Sequence, residues 1–366
     1  MAAFRVEDQA HMRRALALAA RGLNACAPNP RVGCVLVRDG RVVGEGWHRR
    51  AGEAHAEVHA LREAGAEAVG ATAYVSLEPC SHQGRTPPCT DALIAARVAR
   101  VVAAMSDPDP RVAGSGLAAL KRAGIEVETG LCETEARELN VGFLSRLGRG
   151  RPFIRCKIAA SLDGATAMAD GESRWITGEA ARSDVQRLRS RSSAIVTGIG
   201  TALHDDPRLS VRLRAGAWAP PVRVVLDGDL RLPTDARMLK ETGTTLVFTA
   251  SADGERADAL RSAGAQVERI ARAGRGLALD AVFHRLAALG VNDALIEAGS
   301  TLNGALLEAG LVDELVLYVA PRILGRRTRG LFELPDLVRL DQARAFELIE
   351  IRRVGADMRV RARPAE

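Results

Sequence analysis

Residues 7–22 carry apolar positions at helical spacing, and the run stops at Gly22, which predicts an amphipathic helix. The pattern then changes period. Asn29-Pro30-Arg31 reads as a turn, residues 32–38 as a β-rich run, Asp39-Gly40 as a hairpin turn and residues 41–44 as the returning strand. A helix is predicted over 55–64, with Gly65 in place to end it. A short strand over 73–77 is broken by Pro79. Residues 90–97 read as a helix with Thr90 and Asp91 at its start. A strand over 100–105 ends in a Pro/Asp breaker at 107–110, and a helix over 117–123 leads to a strand over 125–127. Strands alternating with helices of this length predict a layered α/β domain.

Arg146-Leu147-Gly148-Arg149-Gly150-Arg151-Pro152 has no apolar period and two glycines. It is read as a boundary between domains 1–147 and 148–366. Beyond it, residues 153–158 open as a strand. Residues 194–198, 222–227 and 245–248 read as buried strands of a parallel sheet. Residues 294–297 run into Gly299 and a helix to Ala309, and 314–319 and 346–349 close the pattern. The second half is therefore another α/β domain with at least six strands. There is no internal repeat and no low-complexity tract.

Composition narrows the class. A length of 366 residues fits two domains better than one. With 47% hydrophobic and 26% charged residues, disorder, collagen and a coiled coil are excluded. No apolar run approaches the roughly 18 residues of a membrane span. Ala15-Leu16-Ala17-Leu18-Ala19-Ala20 is too short and is followed by Arg21, without a small-residue cleavage site, so a cytoplasmic protein is expected. The net charge of +6 suggests an anionic partner. The excess falls after the boundary, since residues 1–147 hold 18 basic and 17 acidic side chains. Lysine occurs only at 121, 157 and 240; the rest of the positive charge is arginine. At 3% aromatics, a stacking surface for single-stranded nucleic acid is not expected, and a small phosphorylated ligand fits better than a polymer. The six cysteines are spread through a long chain, which favours reduced thiols or a metal site over a disulfide framework.

The chemistry of the first half lies in one cluster. His55-Ala56-Glu57 stands at a helix start, Pro79-Cys80 follows a strand, and Cys89 precedes another helix. One imidazole and two thiolates suit Zn²⁺, and three protein ligands leave a fourth position for water, as in a catalytic site. Glu57, two residues from His55, can reach that water without being a ligand and can carry its proton to a leaving amine. This is the pattern of zinc deaminases, although eight residues rather than two separate the cysteines. A purely structural zinc site would want a fourth ligand, for which His59 and His82 are the candidates. His59 is otherwise expected to pack or to orient a ligand. Cys26, Cys34, Cys132 and Cys156 are expected to be small buried apolar residues.

Taken together, His55-Ala56-Glu57-Val58-His59-Ala60-Leu61 and Glu78-Pro79-Cys80-Ser81-His82-Gln83-Gly84-Arg85-Thr86-Pro87-Pro88-Cys89 resemble the bifunctional riboflavin biosynthesis deaminase–reductase family, whose own pattern includes the long cysteine spacing. Pro28-Asn29-Pro30-Arg31-Val32-Gly33 also matches. So do Ala160-Ser161-Leu162-Asp163-Gly164, Gly171-Glu172-Ser173-Arg174-Trp175-Ile176-Thr177, Asp205-Asp206-Pro207 and Glu297-Ala298-Gly299. The resemblance spans nearly the whole chain and is thinnest over 214–292. It implies a cytidine-deaminase-like α/β/α domain followed by a dihydrofolate-reductase-like α/β domain. It implies zinc held by His55, Cys80 and Cys89, with Glu57 as proton shuttle, for hydrolytic deamination of 2,5-diamino-6-(5-phosphoribosylamino)pyrimidin-4-one. It implies NADPH-dependent reduction of the ribosyl group of the product to ribityl. Residues matching Ala159, Trp175, Thr201 and Asp205 would contact NADPH, as would the run Gly299, Ser300, Thr301, Leu302, Asn303, Gly304 and Ala305. Residues matching Ser173, Arg189, Leu209, Arg212 and Glu297 would contact substrate.

Elementary chemistry supports part of this. Gly299-Ser300-Thr301 at a helix start offers free amides to a phosphate. Arg189 and Arg212 are of the type that grips a sugar phosphate bidentately. Glu297 at the end of a buried strand needs a partner or a substrate hydroxyl. There is no Rossmann glycine fingerprint, so the cofactor site is of another kind. Lys157, expected on a sheet edge facing the motif loops, is a candidate for contacting ribose hydroxyls or assisting protonation during reduction. A homo-oligomer that binds neither nucleic acid nor membrane is expected. One rival is a nucleic-acid base deaminase with a fused accessory domain, but the near-neutral first half and the scarcity of aromatics count against it. A non-enzymatic ligand-binding scaffold is the other, and the intact His55, Cys80, Cys89 and Glu57 count against that.

Overall fold

Alternation along β1 (Gly33–Arg38) turns Cys34 and Leu36 to one face of a sheet and Val35 and Val37 to the other, and both faces are buried. A strand so placed needs helices on both sides, which is the arrangement of the computed structural model of the chain. It describes residues 4–84, 86–109, 112–213 and 218–365. Arg85 of the cysteine loop and Pro110 of the expected breaker lie outside them. The chain divides into two units, Met1–Gly150 and Arg151–Glu366.

In the first unit, α1 (Asp8–Ala19) precedes β1, and β1 forms a hairpin with β2 (Arg41–Trp47). Then come α2 (Ala56–Ala64), β3 (Thr72–Val75), α3 (Cys89–Ala95), β4 (Arg100–Ala103), α4 (Ser115–Arg122) and β5 (Glu126–Thr129). The sheet order is β2-β1-β3-β4-β5, antiparallel around β1 and parallel from β3 to β5. One core joins Cys34, Leu36, Ala56, Ala60, Val75, Leu93 and Leu120 under α2, α3 and α4. The other joins Met12, Leu16, Val35, Tyr74, Val102 and Ala136 under α1 and α5 (Glu133–Leu139). The helix α6 (Val141–Arg149) closes the unit. The segment 146–149, read from sequence as the opening of an aperiodic boundary, is thus the last turn of a helix. Its Phe143 is buried while Arg146 and Arg149 flank it, an amphipathic pattern too short to stand out.

In the second unit, β6 (Phe153–Ser161) leads by a short strand β7 (Ala167–Met168) to α7 (Glu179–Arg191). The series β8 (Ala194–Gly198), α8 (Ile199–Asp205), β9 (Val222–Leu226), β10 (Thr245–Thr249), α9 (Gly254–Ser262) and β11 (Ala265–Arg269) follows. After the small hairpin of β12 (Arg272–Ala273) and β13 (Gly276–Leu277) come α10 (Leu279–Ala288), β14 (Asp293–Ile296), α11 (Ser300–Glu308), β15 (Glu314–Ala320) and β16 (Thr328–Arg329). The strands β17 (Phe346–Val354) and β18 (Asp357–Pro364) end the chain. The main sheet has the order β11-β10-β9-β8-β14-β6-β15-β18-β17. It is parallel through β15 and antiparallel beyond.

The long sheet corrects one expectation. β6, the strand of Lys157, is not an edge: β14 and β15 pair with it on either side. After β6 the chain runs outward through β8 to β11. It then returns to place β14 between β8 and β6, and crosses to β15 on the far side. In open α/β sheets a crevice forms outside the carboxyl ends of strands where the order turns back in this way. Glu297, the residue after β14, sits at that point.

Candidate functional site

Two glycines set the position of the first site. A side chain on Gly44 or Gly46 of β2 would begin about 2 Å from the carbonyls of Ala60 and Ala56, so α2 lies directly on the strand. His55 is the residue before that helix, in extended backbone, and Glu57 is in its first turn. The loop after β3 brings Cys80 to the same place, and Cys89 opens α3 rather than preceding it. The Cys89 N–H donates to Cys80 Sγ (3.4 Å) and the Thr90 N–H to the Cys80 carbonyl (3.2 Å), which closes the eight-residue loop.

His55 Nδ1 lies 3.2 Å from Cys89 Sγ and 3.6 Å from Cys80 Sγ. Atoms bound tetrahedrally to zinc at 2.0–2.3 Å are about 3.5 Å apart, so the donor set fits that ion in both chemistry and spacing. Among the described residues, these three are the group whose ligand atoms all lie within 4.8 Å of one another. Neither His59 nor His82 joins them. The His59 Nε2 and His82 Nδ1 atoms are buried without a partner among the described residues. Three protein ligands therefore leave one position open.

Glu57 is buried, and its Oε2 finds no hydrogen-bond partner among the described residues. Burial, then the nearby Cys80, pushes its carboxyl pKa up. Such an oxygen is costly to leave alone and suited to receiving a proton. The Cys89 thiol and the His55 ring hydrogen-bond to the Cys80 sulfur and draw its pKa down against burial, while Cys89 is driven the other way. The hydrogen bond to Cys80 also raises His55.

Beside His55 the structure places two residues that sequence reading did not assign. The His48 ring meets the His55 ring edge-on at 5.2 Å. Its Nδ1 faces the Ala54 carbonyl (3.3 Å), and its Nε2 accepts from Asn29 Nδ2 (3.0 Å). Asn29 was legible as part of a turn and of the matching stretch 28–33, without a role assigned to it. Of the other cysteines, Cys26, Cys34 and Cys156 are buried, but Cys132 is only half-buried, at a left-handed φ of 59° before α5.

The second site is a cleft of about 2130 Å³, far larger than the few hundred to about 1,000 Å³ of a single-ligand pocket. Of the expected cofactor residues, Ala159, Trp175, Thr201, Asp205, Gly299, Ser300, Thr301, Leu302 and Ala305 line it. So do all five expected substrate residues, Ser173, Arg189, Leu209, Arg212 and Glu297. Asn303 and Gly304 do not. The buried Asn303 side chain donates to the Ala298 carbonyl (3.3 Å). A Cβ on Gly304 would sit 2.0 Å from the Glu333 carbonyl oxygen. At the start of α11 the Gly299 N–H donates to Thr201 Oγ1 (3.2 Å), and Thr301 Oγ1 donates to Glu333 (2.7 Å). Trp175 is 62% exposed, with the Arg182 guanidinium 4.7 Å above its ring.

The two arginines differ in state. Arg189 is held bidentately by Glu297 and donates its Nη1 to the Ser210 carbonyl (2.9 Å). The Arg212 guanidinium has no partner among the described residues; burial and then the like charge of Arg189 lower its pKa. Arg189 is thus committed to Glu297, whereas Arg212 is not. Lys157 Nζ lies 3.4 Å from Glu297 Oε2 and lines the cleft from within the sheet.

Comparisons with known proteins cover both units. Residues 5–105 match the cytidine and deoxycytidylate deaminase zinc-binding region, and residues 152–360 match the RibD C-terminal domain. The chain is 51% identical to the riboflavin biosynthesis protein RibD of Escherichia coli strain K12, over 96% of this chain and 98% of that one. It is 45% identical to the Haemophilus influenzae protein of the same name, over 100% and 99%. Among solved structures, Acinetobacter baumannii RibD superposes with a TM-score of 0.91 at 46% identity, covering 98% of this chain and 99% of that one. A Thermotoga maritima diaminohydroxyphosphoribosylaminopyrimidine deaminase/5-amino-6-(5-phosphoribosylamino)uracil reductase gives 0.85 at 32% identity, with the same coverage.

Proposed function

The chain belongs to the RibD family of riboflavin biosynthesis proteins, bifunctional deaminases and reductases, and from that premise we propose how its residues divide the two reactions. The deaminase lies in the first unit. His55, Cys80 and Cys89 hold zinc, which when bound supplies the Lewis acidity that makes water nucleophilic near neutral pH. Glu57 does the proton work. Its Oε2 takes the proton of the attacking water and returns it to the departing amine of 2,5-diamino-6-(5-phosphoribosylamino)pyrimidin-4-one. Burial, by raising its pKa, favours that second delivery. Asn29 and His48 keep the His55 ring in place.

The reductase lies in the second unit. NADPH, when bound, supplies the reducing equivalents that convert the ribosyl group to ribityl. The start of α11, with Thr201 and Ser300, would hold its diphosphate, and Trp175 and Ala159 would also contact the cofactor. Glu297 holds ribose hydroxyls, Arg212 holds the sugar phosphate, and Arg189 fixes Glu297. Lys157, on the inner strand β6, is placed to donate a proton to the ribose oxygen as the sugar is reduced. The protein works in the cytoplasm on small phosphorylated pyrimidines.

The observation that carries this reading is the convergence of His55, Cys80 and Cys89 with a buried carboxylate, two residues from His55, whose Oε2 has no partner among the described residues. The test is metal analysis of the purified protein, then reaction of the diamino substrate with and without NADPH. About one zinc per chain, ammonia in both reactions and loss of reduced-cofactor absorbance only with substrate are expected. Ammonia release unaffected by removing zinc would overturn the assignment.

A further inference from the structure

Glu78 has no part in either reaction above, yet it is among the most completely bonded side chains of the first unit. It is buried, and its carboxylate accepts four backbone N–H groups. Oε2 takes those of Asp107 (3.1 Å) and Gly114 (3.0 Å), and Oε1 those of Gly116 (2.9 Å) and Leu117 (3.2 Å). Its own N–H donates to the Met105 carbonyl (2.9 Å). These donors belong to the segment after β4 and to the first turn of α4, whose amides have no partner within the helix. The negative charge also faces the positive end of the helix.

The same helix end rests on the segment that carries Cys80. A Cβ on Gly116 would fall 2.0 Å from the Pro79 carbonyl oxygen, so the two backbones touch. Ser115 Oγ and Ser81 Oγ lie 2.6 Å apart. Cys80 is therefore gripped from both sides: Glu78, Pro79 and Ser81 are fixed to α4, while Cys89 and Thr90 hold its sulfur and carbonyl from α3.

We propose that Glu78 is a positioning residue for the zinc site, pinning the start of α4 to the Cys80 loop and so fixing the direction of that sulfur. The assignment rests on the deaminase reading of the first unit. The partners of the Glu78 carboxylate among the described residues are backbone amides, not the ligand atoms of His55, Cys80 or Cys89. Glu78 sets where one of the three ligands points, and with it the holding of the ion. Glutamine cannot replace it. An amide has one acceptor oxygen, and its NH₂ would face donors, leaving at least two amides of the turn unmet.

The experiment compares the zinc-loaded wild-type protein with Glu78→Gln. It measures the rate of zinc transfer to a chromophoric chelator, the deaminase kcat and KM, and the melting temperature. The expected result is zinc release faster by about tenfold to a hundredfold, the range seen when groups that orient a ligand are removed. The deaminase kcat should fall with KM little changed, and reductase turnover on deaminated substrate should be unaffected. A variant that melts earlier but releases zinc and turns over at wild-type rates while folded would overturn the proposal. If Glu78→Gln does not accumulate as folded protein, Glu78→Asp decides. It keeps the charge but is one methylene shorter, and wild-type zinc release from it overturns the proposal. A wild-type protein that holds no zinc would instead overturn the deaminase reading itself.

Discussion

Arg189 meets Glu297 through two parallel contacts, Nε to Oε1 at 2.5 Å and Nη2 to Oε2 at 2.9 Å, at the carboxyl end of the central strand β14. Both side chains are nine-tenths buried. Burial pushes the Glu297 carboxyl up, but Arg189 and then Lys157 bring it down to about 2. The carboxylate is therefore ionised over the whole working range, an acceptor for hydroxyls rather than a donor of protons.

Removing the guanidinium leaves that charge buried with only Lys157 opposite. Arg189→Ala is expected to destabilise the second unit by about 3–5 kcal/mol, measured by urea unfolding. The pH dependence follows from the lowered carboxyl. An unfolded glutamate titrates near 4.3, so the stabilisation is complete above roughly that pH and fades as the pH falls toward about 2. The gap between wild type and variant should be full at pH 7 and narrow at pH 3. A gap independent of pH would place the defect elsewhere.

Lys157→Met removes the amine while keeping most of the stem. If Lys157 supplies a proton during reduction, NADPH oxidation with deaminated substrate should drop about a hundredfold or more. Ammonia release by the first unit should not change. Undiminished reductase turnover would discard the role.

Glu57→Gln keeps the shape of the buried side chain but cannot carry a proton. Ammonia release should fall by about a hundredfold to ten-thousandfold, with zinc content unchanged on metal analysis. Retained ammonia release would take the proton-carrying role away from Glu57.

Much of this was legible in the chain because it is local. His55, Glu57, Cys80 and Cys89 announce themselves by residue type and spacing, and α2 and α3 were visible as helices. What stayed hidden depends on distant pairing. Lys157 looked like an edge residue because the strands that flank β6 lie more than 130 residues later. Glu78 was visible as a letter in a motif, but its four donors come from residues 107–117. Arg189 and Arg212 looked alike, and only the fold shows that one is committed to Glu297. The final strand β18 did leave a trace that was missed: Met358, Val360 and Ala362 alternate with Arg359, Arg361 and Arg363. The arginines masked the alternation, because they are charged yet largely buried, paired with the buried carboxylates of Glu314 and Asp184.

The run from Gly299 to Ala305 shows what winding does to a row of neighbours. Gly299, Ser300, Thr301, Leu302 and Ala305 look into the cleft, whereas Asn303 and Gly304 turn to the Ala298 carbonyl and the Glu333 backbone. At 3.6 residues per turn, seven consecutive positions cannot all reach one guest. Two of them serve the masonry behind the wall, and enlarging Gly304 would loosen the wall without touching whatever stands in front of it.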